Sequence, residues 1–108
     1  MVDQKPYNAG DEVQVKTRKR RLDLERKQET NDLQSVMGTA YGRRFIWRWL
    51  GITGVHRTSF NTNALSMAHA EGQRGVGLML EAEIMETDPK LYLTMQAEAI
   101  SQEEIDNA

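Results

Sequence analysis

Along the chain, apolar residues recur at steps of three and four and nowhere alternate with polar ones, so the pattern predicts helices and no strand. Residues 1–11, with Lys5-Pro6, Asn8 and Gly10, carry no periodicity and read as a flexible arm. Over residues 12–37 good helix formers predominate, but Val13, Val15, Leu22, Leu24 and Leu33 are thinly spread among charges. This predicted helix has little apolar surface of its own to bury and is solvated or packs on a partner. Gly38 suits its end, and Thr39 caps a second helix over residues 40–50, closed by Gly51 and Gly54. In that helix Tyr41, Phe45, Trp49 and Ile52 fall on one side, with Arg43, Arg44 and Arg48 between the rings.

After a connector at residues 55–60, Asn61 or Thr62 caps a third helix that runs to Met85 or Glu86. Its expected inner stripe is Leu65, Ala68, Gly72, Val76, Met79, Leu80 and Ile84. Gly72, Gly75 and Gly77 each weaken an isolated helix by about 1 kcal/mol relative to alanine, so their expected use is close approach, with Trp47 or Trp49 covering them. Asp88 at the N-cap and Pro89 at the first position start a fourth helix, whose inner face is Leu91, Tyr92, Met95 and Ala99. The fold class is all-α: three packed helices in a compact domain over residues 38–108, preceded by the charged helix at 12–37 and the arm at 1–11.

Composition narrows the functional classes. A chain of 108 residues, 39% hydrophobic and 28% charged, is one small domain with a small core diluted by a polar segment. A chain this short leaves much of its surface unburied, so association with copies of itself is expected. The lack of cysteine excludes a disulfide scaffold, a thiolate zinc site, an iron–sulfur cluster and a cysteine nucleophile. No window is apolar enough to span a membrane, and the first residues lack the apolar core of a signal peptide; the expectation is a protein made and used in a cytoplasm, with no membrane partner. The net charge of −2 hides an asymmetry, because residues 1–57 hold 12 basic and 7 acidic side chains while residues 58–108 hold 2 and 9. Halves of opposite sign attract within one fold or head-to-tail between copies.

Candidate chemistry is sparse. Lys16, Arg18, Lys19, Arg20 and Arg21 place five cations within six residues, enough to contact phosphates; Asp23, Glu25, Glu29 and Asp32 follow, and a solvated or partner-facing helix is the alternative. Tyr41, Arg43, Arg44, Phe45, Trp47, Arg48 and Trp49 either stack single-stranded bases, anchor a protein interface, or place the tryptophans in the core with the arginines turned outward. His56 and His69 lack ligand spacing for a metal, Ser59 and Ser66 lack the surroundings of a nucleophile, and no pair of groups is spaced for general acid–base work. The expectation is therefore no enzyme, no cofactor and no small-molecule substrate.

Three blocks, GTAYGRRFIWRWLGITGVHRTSF at 38–60, EGQRGVGLMLEAEI at 71–84 and DPKLYLTMQAEA at 88–99, resemble in order and spacing a small family of tailed-bacteriophage proteins. The resemblance covers residues 32–100. It implies a structural virion protein, encoded in the head-assembly cluster of short-tailed phages, with no activity or cofactor attached. The partners it implies are copies of itself, the portal or other head and tail proteins, and packaged DNA. The reading is a multi-copy, non-enzymatic virion protein near the portal or head–tail connector, or inside the head and linked to ejection. The alternatives are a DNA-binding packaging or ejection accessory factor, with the basic run on phosphates, and a transient scaffolding-like assembly factor.

Overall fold

The computed structural model describes residues 9–108. It contains α1 (Ala9–Met37), α2 (Ala40–Thr53), α3 (Ala64–Thr87) and α4 (Pro89–Asp106). No strand occurs among the described residues, and the fold is all-α as the periodicity predicts. For the expected arm, residues 1–8 lie outside the described residues, while residues 9–11 already belong to α1. Asp11 and Glu12 stand in the first turn of α1, where carboxylates favour the positive end of the helix dipole.

The chain divides into two units, Met1–Asn31 and Asp32–Ala108, with the division inside α1. In the first unit, α1 is exposed all round over residues 9–29. In the second, each of α2, α3 and α4 packs against the other two. Their shared core is Met37, Ile46, Leu50, Ile84 and Met95, with Leu33, Trp47, Val55, Leu80, Leu91 and Tyr92 packed around it. Leu33 and Met37 come from the end of α1, so the three-helix core is completed by a fourth segment.

Local chemistry sets the helix ends. The Thr39 hydroxyl accepts from the Gly42 amide at 3.1 Å and starts α2. That helix runs one turn beyond the predicted end, because Gly54, at φ 86°, takes the left-handed capping position in place of Gly51. Asn63, one or two residues later than expected, caps α3 by accepting from the Ser66 amide at 3.0 Å. Asn61 instead accepts from the Asn63 amide at 2.8 Å and folds the connector. Asp88 accepts from the amides of Lys90 and Leu91 at 3.0 and 3.4 Å, with Pro89 opening α4 as predicted.

The α3 stripe departs from expectation. Leu65 and Met79 are 84% and 74% exposed, Val76 is exposed as well, and only Leu80 and Ile84 of the predicted stripe join the core. The buried side carries Gly77 and Ile84, and a Cβ at position 77 would overlap Thr53 and Val55. From Val76 to Met85 the helix is apolar nearly all round, so two faces compete for the core. The face bearing Gly77 wins because it lets the end of α2 approach backbone to side chain. Neither tryptophan covers the glycines: Gly72 and Gly75 face open space, Trp47 stacks on His56 with ring centroids 4.6 Å apart, and Trp49 is 43% exposed.

Candidate interaction surface

Helix α2 presents three sides, each with a different use. Gly42, Ile46 and Leu50 form the buried side. At 100° per residue, Arg43 and Trp47 fall on a flank next to it. The Arg43 guanidinium grips the Glu98 carboxylate of α4 through Nε–Oε1 and Nη2–Oε2, the latter 3.2 Å, while Nη1 donates to the Met37 carbonyl at 2.8 Å. One side chain thus ties α2, α4 and the last carbonyl of α1 together. The hydrogen bond to Arg43 holds the Glu98 carboxyl below the usual glutamate range, and the same bond raises the Arg43 guanidinium.

The third side faces outward. Tyr41, Phe45, Trp49 and Ile52 share it by helical spacing, and all four are exposed, Tyr41 at 71%. Phe45 and Trp49 lie tilted at 55° with centroids 6.4 Å apart, and the Arg48 guanidinium carbon sits 5.3 Å from the Phe45 centroid. Such a cation–aromatic contact holds the ring and the charge in place before any partner arrives. A contiguous face of large rings and arginine is what protein interfaces concentrate at their centres. Of the predicted anchor residues, the structure therefore groups Tyr41, Phe45, Arg48 and Trp49 outside, and engages Arg43 and Trp47 inside the unit.

Arg44 and Arg48 also form one wall of a groove between α2 and α4, of about 710 Å³. Its other wall carries Glu103 and Asp106, and Trp47, Met95 and Ala99 lie between. Asp106 is positioned by a 2.9 Å hydrogen bond from the Gln102 side chain. The acidic wall is absent from the sequence-predicted site, where residues 103–106 look like a frayed helix end. The signal that reveals it is the i, i+3 spacing of Glu103 and Asp106, which puts both on one side of a helix continuing to Asp106.

The basic run does not act as one face. Lys16, Lys19, Arg20 and Lys27 line the same side of α1 with Asp23 and Leu24. Arg18 and Arg21, at 100° per residue, point to other sides. Lys16 also pairs with Glu12 at 3.7 Å. Elsewhere, Ser59 donates to the Glu71 carboxylate, the Tyr92 hydroxyl donates to Glu81 at 2.8 Å, and burial followed by that bond pushes the Tyr92 phenol up to about 12. Among the described residues no group of three or more histidine or acidic side chains is placed to hold a metal ion, and no helix is long and apolar enough to cross a membrane.

Fold and surface together define a small all-α protein with a three-helix core and an outward aromatic–arginine face. The family model of Bbp19-like phage proteins matches residues 33–97, more than half of the 108-residue chain, and the protein belongs to that family. The match spans the body of the compact unit and leaves the basic face of α1 outside it. No curated protein and no solved structure matches the chain. That the blocks at residues 38–60, 71–84 and 88–99 belong to a phage protein family is thereby shown.

Proposed function

We propose that this phage protein is a non-enzymatic structural component of the particle, present in many copies near the portal or head–tail connector or inside the head. It joins neighbouring proteins and transforms no substrate. The observation that carries the reading is the outer face of α2, where the rings of Tyr41, Phe45 and Trp49 stay exposed together with Ile52 and beside Arg48. Leaving that face in water is unfavourable by roughly 25 cal/mol per Å2 of apolar area, a cost that docking on a partner removes. Membership of a phage family makes a particle protein the natural partner.

The test replaces Phe45 and Trp49 with alanine in the phage genome and measures the protein in purified, DNA-filled particles by mass spectrometry. Because both side chains are exposed, the purified variant keeps its helical circular dichroism and melts within a few degrees of the parent. Loss of the protein from particles supports the reading; unchanged incorporation overturns it. Absence of the parent protein from mature particles moves the assignment to a transient assembly factor.

A further inference from the structure

The groove between α2 and α4 matches the basic side of α1 in length, and its acidic wall is opposite to that side in charge, while its floor of Met95 and Trp47 belongs to the core and its margin. Along α4 it extends from Met95 to Asp106, about 16 Å of helix at 1.5 Å per residue. On α1 the stretch from Lys16 to Lys27 has the same length, about 16 Å. We infer that α1 of a second copy docks in this groove, setting its cations against Glu103 and Asp106.

Charge favours this occupant. Lys16, Arg20 and Lys27 lie within an arc of one helix side, and Leu24 lies next to them, placed to meet Trp47 and Ala99 between the groove walls. Glu25 and Glu29 fall on the back of α1 together with Arg18 and Arg21, so that side is close to neutral and the charge match rests on the basic side alone. Asp23 sits within the basic side, where a phosphate backbone would repel it and a groove carrying both signs tolerates it. The free surface is there to be taken, since α1 is exposed all round over residues 9–29. A contact of this kind is heterologous, the α1 of one copy on the groove of the next, so it propagates into a ring or a short filament. It deepens the multi-copy reading and leaves the rings of Tyr41, Phe45 and Trp49 free for a different partner, with Arg48 at the border of the two surfaces.

Sedimentation velocity of the full chain over a concentration series, at low and high salt, tests the contact. The parent associates at low salt and dissociates as salt rises. Lys16→Glu with Arg20→Glu and Lys27→Glu weakens association by about tenfold or more, as does Glu103→Lys with Asp106→Lys, and the five substitutions combined restore it. A parent that is monomeric at every concentration overturns the inference, as does association indifferent to either set. If only the α1 set matters, the combined chain stays impaired, and retention on duplex DNA falls with the α1 set, the partner is nucleic acid and the groove is not involved. A Phe45→Ala, Trp49→Ala chain run beside them still self-associates, so failure of the groove contact and failure of the aromatic docking face are read separately.

Discussion

At the scale of single residues, two hydrogen-bonded pairs between helices make stability respond to pH. Glu98 is held ionised by Arg43 below the ordinary glutamate value, so the folded state binds its proton more weakly than the unfolded state. That contribution is fully present above the ordinary value and is lost as pH falls through the depressed one. Glu98→Gln is therefore expected to lower the melting temperature at pH 7 and to flatten its decline on acidification, measured by thermal melts between neutral pH and about pH 3. A parallel decline in both proteins would show that the ion pair is unimportant to the fold. Tyr92 has the opposite sign: its phenol is raised from 10.0 to about 12, so its contribution holds below 10.0 and is lost as pH climbs through about 12. Tyr92→Phe removes the hydroxyl bonded to Glu81 and costs about 1 kcal/mol near neutrality. In urea titrations across the alkaline range, the variant should lose less stability with rising pH than the parent. The late phenolate step in ultraviolet absorbance should vanish with it.

At the scale of elements, the glycines of α3 separate packing from propensity. Gly77 faces Thr53 and Val55 so closely that a Cβ has no room, whereas Gly72 faces open space and does not have the positive φ that only glycine tolerates. Gly77→Ala is expected to destabilise by about 1–3 kcal/mol through forced separation of α2 and α3. Gly72→Ala should stabilise by about 0.5–1 kcal/mol through reduced freedom of the unfolded chain. Urea unfolding of the two variants measures both, and equal effects would mean that Gly77 is not the close-approach point. The same helix marks how far the sequence could be read. Caps at Thr39 and Asp88 and the inner positions Leu91, Tyr92 and Met95 were legible because a side-chain acceptor or a single apolar stripe allows one solution. The face of α3 was not, because Leu65, Val76 and Met79 make a stripe as apolar as the one that is buried. The choice depends on the shape of α2, which lies outside the local pattern. In α2, by contrast, the side carrying Tyr41, Phe45, Trp49 and Ile52 follows from spacing; that it points outward depends on Ile46 and Leu50 filling the core first.

At the scale of the whole molecule, α1 belongs to two units, and its last turn and a half carries structural weight out of proportion to its length. Met37 is 2% exposed in the core, Leu33 packs against it, and the Met37 carbonyl accepts from Arg43. Residues 9–29, by contrast, bury no side chain. A chain of residues 32–108 is therefore expected to melt within a few degrees of the full protein, since it retains every core residue. A chain of residues 38–108 loses Met37 and Leu33 together, leaving a cavity in the core they share with Ile46, Leu50, Ile84 and Met95. Deleting one buried methionine side chain alone costs about 2–5 kcal/mol, comparable with the total stability of a small domain. The shorter chain should melt far lower or fail to fold. Circular dichroism melts of the three chains decide the matter, and equal melting temperatures for the two truncations would refute a structural role for the end of α1. The same pair of chains bears on assembly. Residues 32–108 keep the outer face of α2 and the groove but lose the basic side of α1. Their folding should be intact while their salt-sensitive self-association is lost, which places stability and association on different parts of one helix.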